Sequence, residues 1–271
     1  MACPAGPWGV PAIGYFFVSP EQIAGERVTI TGPDVVHISR VLRLGSRDVI
    51  TVMDGQGRGY RVRLAVITGT AVEGVILEQF VPGGEAPLKV TLVQGLSKGD
   101  KMDIIIQKST ELGVSCVVPL ACRRSVVRLT SDKARERQQR WQRIALEAAK
   151  QSRRAIVPRV TGVMDLPAAL NLITPGALAL MPWEEERELS LKAALKGRSC
   201  GEVFVFIGPE GGFEADEVAM ARERGVFSVS LGPRILRTET AGLATLTMVL
   251  YELGDLGGHP AGTTGETNHG G

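Results

Sequence analysis

No lysine-bearing phosphate loop of the GK[ST] kind occurs anywhere in the 271 residues, which disfavours a Walker-type nucleotide hydrolase. The four cysteines, Cys3, Cys116, Cys122 and Cys200, form no CxxC pair. The three histidines are scattered, with His259 and His269 far along the chain from His37. That spacing argues against a zinc site and a disulfide scaffold, and it leaves free thiols in a reducing compartment. No apolar run approaches the roughly 20 residues of a membrane span. The N-terminus also lacks a basic stretch followed by an apolar core, so it does not read as a signal peptide. These absences point to a soluble, cytoplasmic protein with neither a membrane nor a metal partner.

What is present is unevenly distributed. A net charge of +2 hides a division into −1 for residues 1–88, +10 for residues 89–161 and −7 for residues 162–271. A strongly basic middle suggests a polyanionic partner for that segment, although an arginine-rich solvated helix would carry the same composition. The length suffices for one large or two ordinary domains.

Residues 1–13 are rich in proline and glycine and are expected to be loose. From residue 14 to 81 the pattern is of short β-runs, YFFV, RVTI, DVITVMD, GYRVRLAVI and AVEGVILEQF, with a hairpin signal at Asp54-Gly55 and Gly57. Such spacing suggests a small barrel, interrupted by a helical stretch from Asp34 to Leu42 with Asp34 as its cap. Residues 82–87 read as a linker. Beyond them strands and helices alternate from 88 to 256, including a helix stopped by Gly113 and a long basic helix from about Ser131 to Arg153. Strands are expected at Leu88 to Leu96, Val114 to Ala121, Val157 to Val163 and Ala177 to Met181, and a helix at Leu166 to Ile173. The alternation predicts an α/β domain with a mainly parallel sheet covered on both faces. Residues 257–271, rich in glycine and threonine, are expected to be a disordered tail.

The organising stretch runs from Val203 to Thr240. An apolar run breaks into Gly208-Pro209-Glu210-Gly211-Gly212, a helical segment follows, and a second β-branched run breaks into Gly232-Pro233-Arg234. Two glycine turns after what read as neighbouring strands of one βαβ unit suit a ligand beyond the carboxyl ends of the sheet. Glu210 would repel a triphosphate but suit a ribose hydroxyl or a cation. Ile235 and Leu236 beside Arg237, Thr238 and Thr240 suit an adenine ring.

The loops IGPEGGF and LGPRILRTETA, with HISRVLRL, KGDKMDIIIQKSTELGV, RRSVVR and EAAKQSRRAIVPRV, resemble the signature motifs of the RsmE family. These are bacterial 16S rRNA uridine-N3 methyltransferases of the knotted SPOUT superfamily. The resemblance spans roughly residues 15 to 256. Arg153 stands where the family commonly has glycine, and Gly14-Tyr15 precede FFV where a basic residue is common.

The resemblance implies a PUA-like barrel at the N-terminus, a trefoil-knotted methyltransferase domain, a homodimer and an S-adenosyl-L-methionine site in the knot. Carried over by residue, the cofactor would meet Leu180, Gly208, Glu210, Gly211, Gly212, Leu231, Gly232, Ile235, Leu236, Arg237 and Thr240. Methylation at N3 needs the ring proton removed and the developing anion stabilised. Arg154 and Arg237 are candidates for the second task, and Glu210 or Glu239 for the first. For Arg154 a phosphate contact or a helix C-terminal cation is an equal alternative. Arg40, Arg43, Arg123, Arg124 and Arg128 are candidate contacts to 16S rRNA in the small subunit. Two other readings stay open: a knotted methyltransferase aimed at another RNA position, and a non-catalytic RNA-binding assembly factor.

Overall fold

The computed structural model describes residues 14–127 and 129–258. The loose N-terminus expected at 1–13, all but the first two residues of the tail expected at 257–271, and Arg128 lie outside the described residues. The chain divides into two compact units. One comprises residues up to Glu85 with Arg143–Pro158, and the other Ala86–Gln142 with the residues from Arg159 onward.

The first unit is built on β1 (Tyr15–Phe17), β2 (Ile23–Ala24), β3 (Arg27–Thr31), β4 (Val49–Met53), β5 (Gly59–Ile67) and β6 (Ala71–Phe80). Their order is β1-β4-β5-β6-β3-β2, antiparallel except for the β1–β4 pair. Alternation sets the inner face. Val28 and Ile30 are buried between exposed Arg27 and Thr31, and they join Phe16, Ile38, Val52 and Val72 in one core. The expected hairpin forms between β4 and β5. There Asp54 Oδ1 accepts the Gln56 and Arg58 N–H groups, while Gly55 and Gly57 take positive φ.

Two expectations change in this unit. The ladder runs from edge β1 to edge β2 with no pairing between those edges among the described residues, so the sheet is not a closed barrel. Asp34 is not a cap either. Helix α1 (Pro33–Val36) starts from Gly32, whose φ of 77° a side chain would resist, and continues as a π-turn over His37–Val41. Asp34 instead meets Lys150 Nζ at 3.4 Å.

The second unit carries β7 (Lys89–Gly95), β8 (Cys116–Ala121), β9 (Arg159–Val160), β10 (Met164–Asp165), β11 (Leu178–Pro182), β12 (Glu202–Ile207) and β13 (Phe227–Val229). The order is β10-β8-β7-β12-β11-β13, β9 also pairs with β8, and every ladder is parallel. A parallel sheet is covered on both faces, which is why β12 has five consecutive buried residues from Val203 to Ile207. Its helices are α2 (Lys101–Leu112), α4 (Leu166–Leu170), α5 (Leu191–Leu195), α6 (Ala215–Glu223) and α7 (Thr238–Leu253), and α3 (Ser131–Gln151) belongs to this unit up to Gln142 and to the first unit from Arg143. Phe204, Phe206, Phe213, Val218 and Met181 form part of the core on one side, each buried aromatic contributing about 2–3 kcal/mol. Gly113 ends α2 at φ 109°, in the left-handed region expected of it.

Three sequence expectations are corrected here. The strand expected over 157–163 is only the two residues of β9, and β10 begins beyond that range. The helix expected to reach Ile173 ends at Leu170. Most consequentially, β12 and β13 are not neighbours, because β11 lies between them and pairs with both. Strands consecutive in the chain often pair, as β11 and β12 do here, but chain order does not fix order across a parallel sheet, so this insertion had no local signal.

Candidate functional site

Because all ladders of the second unit are parallel, the connections after β7, β11, β12 and β13 leave from the same edge of the sheet. Ligands in open α/β sheets settle at such an edge. The first glycine loop, Gly208 to Phe213, folds back on itself. Gly212 N–H donates to the Pro209 carbonyl at 3.0 Å, and a Cβ on Gly208 would lie 3.0 Å from the Gly212 carbonyl carbon. The loop also presses on the end of β7, where a Cβ on Gly95 would collide with the Pro209 nitrogen. Gly212 has φ 69°, and a Cβ there would run into Glu184 Oε1, placing the connection after β11 against this loop. Glycine is required at 95 and 208 because backbone approaches backbone, and at 212 because of the positive φ and the Glu184 side chain against it.

Glu210 is tightly held. Its Oε1 accepts the Lys98 N–H at 3.0 Å and the Lys101 ammonium at 3.0 Å. Burial pushes this carboxyl up, but the Lys98 N–H, its own backbone and Lys101 outweigh it and hold Glu210 below the ordinary carboxylate range. A carboxylate stabilised as an anion in this way is a weak proton acceptor. The structure thus gives Glu210 the geometry of a loop anchor, which differs from the base considered in the sequence.

The second loop begins at Leu231. Ser230 Oγ accepts the Gly232 N–H at 3.2 Å, Gly232 takes φ 110°, and Ile235 stands 89% exposed. Leu236 is half-buried, and exposed Arg237 is the N-cap of α7, its carbonyl accepting the Thr240 and Ala241 N–H groups at 2.9 and 2.7 Å. The two loops are joined inside the fold. Fully buried Gln94 donates from Nε2 to Thr238 Oγ1 at 2.8 Å, and that hydroxyl donates to the Gly208 carbonyl at 2.6 Å. They are joined again outside by Lys101, whose Nζ lies 3.0 Å from Glu210 and 3.4 Å from Glu239 Oε2. Contact with Glu210 raises the Lys101 pKa. Glu239 Oε2 is closed off from solvent and has no hydrogen-bond donor among the described residues.

Leu180 lies in the middle of β11, fully buried and in register with Val205 and Phe227, so it backs the edge without projecting from it. The segment that follows carries the site. Buried Glu186 accepts the Glu188 N–H at 2.8 Å, the Arg222 guanidinium at 2.8 Å and the Ser228 hydroxyl. The Ser228 hydroxyl is the largest influence, and together these bonds hold its carboxyl down at about 2. Glu186 thereby fastens the connection bearing Trp183 and Glu184 to β13 and α6. Sequence reasoning passed over Glu184, Gln94 and Lys101. An acidic run directly after a strand that ends at the same sheet edge was the available signal for Glu184, whereas the other two depend on long-range contacts.

The arginines separate by environment. Arg40 and Arg43 are exposed in the first unit. Arg123 and Arg124 are exposed in the second but already engaged. Arg123 Nη1 meets Glu214 at 3.3 Å and Asp216 at 3.2 Å, and Arg124 Nη1 donates to the Gly211 carbonyl at 3.1 Å. Hydrogen bonding to Glu214, then Asp216, raises the Arg123 pKa. Arg154 belongs to the first unit and is 7% exposed. Its guanidinium is clasped by Glu85, with Nη2 to Oε2 at 2.8 Å and Nε to Oε2 at 3.3 Å. The other Glu85 oxygen accepts the Ala155 and Ile156 N–H groups. In this arrangement Arg154 is paired within its own unit and orders the segment that carries Glu85, Ala155 and Ile156. Neighbouring Arg153 takes φ 57°, a left-handed conformation that explains why glycine is common there in the resembled family.

The edge thus offers close backbone groups, exposed apolar side chains and several carboxylates. Such a lining favours a purine nucleoside carrying positive charge and disfavours a polyphosphate.

Comparison with known proteins agrees with this chemistry. Residues 84–250 match the model of the RNA methyltransferase domain family. The chain is 38% identical over 248 residues to ribosomal RNA small subunit methyltransferase E of Bacillus subtilis, covering 88% of this chain and 96% of the relative. It is 36% identical over 235 residues to the protein of that name from Synechocystis, covering 86% and 75%. Among solved structures, the ribosomal RNA small subunit methyltransferase E of Neisseria gonorrhoeae bound to S-adenosyl methionine superposes with a TM-score of 0.79. It is 35% identical, with 90% of this chain and 99% of that chain covered.

Proposed function

The chain belongs to the ribosomal RNA small subunit methyltransferase E family, and on that footing we propose that it methylates N3 of a uridine in 16S ribosomal RNA with S-adenosyl-L-methionine. The observation that carries this reading is the pair of glycine loops, joined through Thr238 and Gly208 at the carboxyl edge of a parallel sheet. The lining fits the cofactor. Glycines at 208, 211, 212 and 232 let the backbone approach, Leu231, Ile235 and Leu236 offer apolar cover, and Arg237 and Thr240 close the second loop over the start of α7. Leu180 backs the wall, and Glu239 stands behind the second loop in contact with Lys101.

When bound, the cofactor supplies a methyl group activated by a sulfonium centre. The protein then has two tasks, which are to orient the uridine and to manage its N3 proton. Arg237, at the mouth of the second loop, provides positive charge to the imide as N3 becomes anionic. Both carboxylates meet Lys101, but Glu210 is fixed by the Lys98 N–H as well, which leaves Glu239, with its looser 3.4 Å contact, as the candidate proton acceptor. Arg154 supports the substrate from within the first unit by ordering the segment it shares with Glu85. Uridine N3 is occupied in Watson–Crick pairing, so the target base must be unpaired or flipped.

The finer architecture follows the same reading. The first unit is a PUA-like RNA-binding module, and the segment running from the second loop into α7 threads a trefoil knot, consistent with Thr238 reaching Gly208. The enzyme works as a homodimer in the cytoplasm. Exposed apolar residues on helices that pack together, Ile104 on α2 and Met248 and Tyr251 on α7, are surface that a second copy would cover. Arg40 and Arg43, with Arg123, Arg124 and Arg128, form the phosphate-contacting set. A crystal structure of the protein soaked with S-adenosyl-L-methionine tests the site. Density between residues 208–212 and 231–237 is expected. A cofactor bound elsewhere, or excluded by the loops, would overturn the reading.

A further inference from the structure

Three residues far apart in the chain meet at one point beside the two loops. Lys101 opens α2, Glu210 sits in the first glycine loop, and Glu239 lies in the first turn of α7 directly after the second loop. We propose that Lys101 is a positioning residue that sets the spacing of the two glycine loops, and so the affinity for S-adenosyl-L-methionine, by holding Glu210 and Glu239 with a single ammonium. The proposal rests on the cofactor-site reading above.

Two carboxylates brought to one place repel, and a cation between them converts that repulsion into a bridge. The bridge is asymmetric. At Glu210 it is a hydrogen bond of 3.0 Å, reinforced by the Lys98 N–H on the same oxygen. At Glu239 it is a charge contact of 3.4 Å to an oxygen that no hydrogen bond satisfies among the described residues. The first loop is therefore fixed from the Lys98–Lys101 segment, and the second retains slack. Side-chain exposures of 30%, 29% and 23% for Lys101, Glu210 and Glu239 leave the bridge partly screened, a class of ion pair that adds little to global stability. The buried chain from Gln94 through Thr238 to Gly208 holds the fold independently of it. Removing the ammonium should therefore move the loops relative to each other without unfolding the domain.

The test is calorimetric titration of S-adenosyl-L-methionine into the full-length wild type, Lys101→Met, Lys101→Arg, Glu239→Gln and the Lys101→Met/Glu239→Gln double variant. Lys101→Met should weaken cofactor binding about tenfold, with its melting temperature close to that of the wild type. Lys101→Arg should restore most of the affinity, and so should the double variant, because removing one carboxylate removes the repulsion that the ammonium had offset. RNA affinity and its salt slope should stay unchanged. Equal cofactor affinity in Lys101→Met and wild type would overturn the proposal. So would a double variant no tighter than Lys101→Met alone, because the loss would then not come from repulsion between the two carboxylates. A wild type that binds no S-adenosyl-L-methionine would instead sink the cofactor reading itself.

Discussion

The Thr238 hydroxyl donates to the Gly208 carbonyl at 2.6 Å while accepting from Gln94 Nε2 at 2.8 Å, so one side chain at the head of α7 pins the first glycine loop. Thr238 is 5% exposed and Gln94 fully buried, so neither bond is readily replaced by water. Thr238→Val keeps the shape and strands both partners. It is expected to lower unfolding free energy by about 1–3 kcal/mol in denaturant titrations, whereas Thr238→Ser should stay near wild type. Equal stability of the two variants would contradict the relay.

Gly212 and Gly25 share positive φ, 69° and 58°, but differ in surroundings. A Cβ on Gly25 meets nothing within 4 Å, whereas one on Gly212 collides with Glu184. Both alanine variants should incur the left-handed strain of about 1–2 kcal/mol. Only Gly212→Ala should also weaken cofactor binding, by roughly tenfold or more, since each 1.4 kcal/mol of displaced contact is a factor of ten. Titration of both variants with S-adenosyl-L-methionine checks this, and a matching loss in Gly25→Ala would remove the loop from the explanation.

Glu186 should leave its mark on acid stability. Its carboxyl is held at about 2 against an ordinary 4.5, through Ser228 first and then the Glu188 N–H. The folded state therefore binds this proton less readily than the unfolded chain. The resulting stabilisation, at most about 3 kcal/mol, is complete above pH 4.5 and disappears as pH falls toward 2. Urea titrations from pH 6 to pH 2.5 should show the slope in the wild type and a shallower one in Glu186→Gln. Parallel pH profiles would show that Glu186 is not the titrating group.

RNA binding should distinguish free from engaged arginines. Replacing exposed Arg40 and Arg43 together by alanine should lower the salt slope of binding by about two. Arg123 is already shared between Glu214 and Asp216, so Arg123→Ala should change the slope less. Filter binding across a salt series measures both, and the reverse ranking would place the RNA surface on the second unit.

Local features were readable from the sequence. The Asp54-Gly55 hairpin, the Gly113 helix stop and the buried run of β12 each depend on residues within a few positions of one another, where side-chain chemistry dictates backbone conformation directly. The two glycine loops were legible because glycine between an apolar strand and a helix has few other uses. What escaped detection was non-local. The insertion of β11 between β12 and β13, the pairing of Arg154 with Glu85 across 69 positions, and the bridge from Lys101 to Glu210 across 109 arise only once the sheet is assembled. Glu210 illustrates the consequence. Its place in the loop was evident from sequence, but its role depends on a lysine that no periodicity associates with it.

The most direct measurement is mass spectrometry of nucleosides from 16S ribosomal RNA, in naked form and within small subunits, after incubation with the protein and isotopically labelled S-adenosyl-L-methionine. Label is expected in 3-methyluridine. Label confined to a ribose-methylated nucleoside or to another base, or no label in either substrate, would contradict the account.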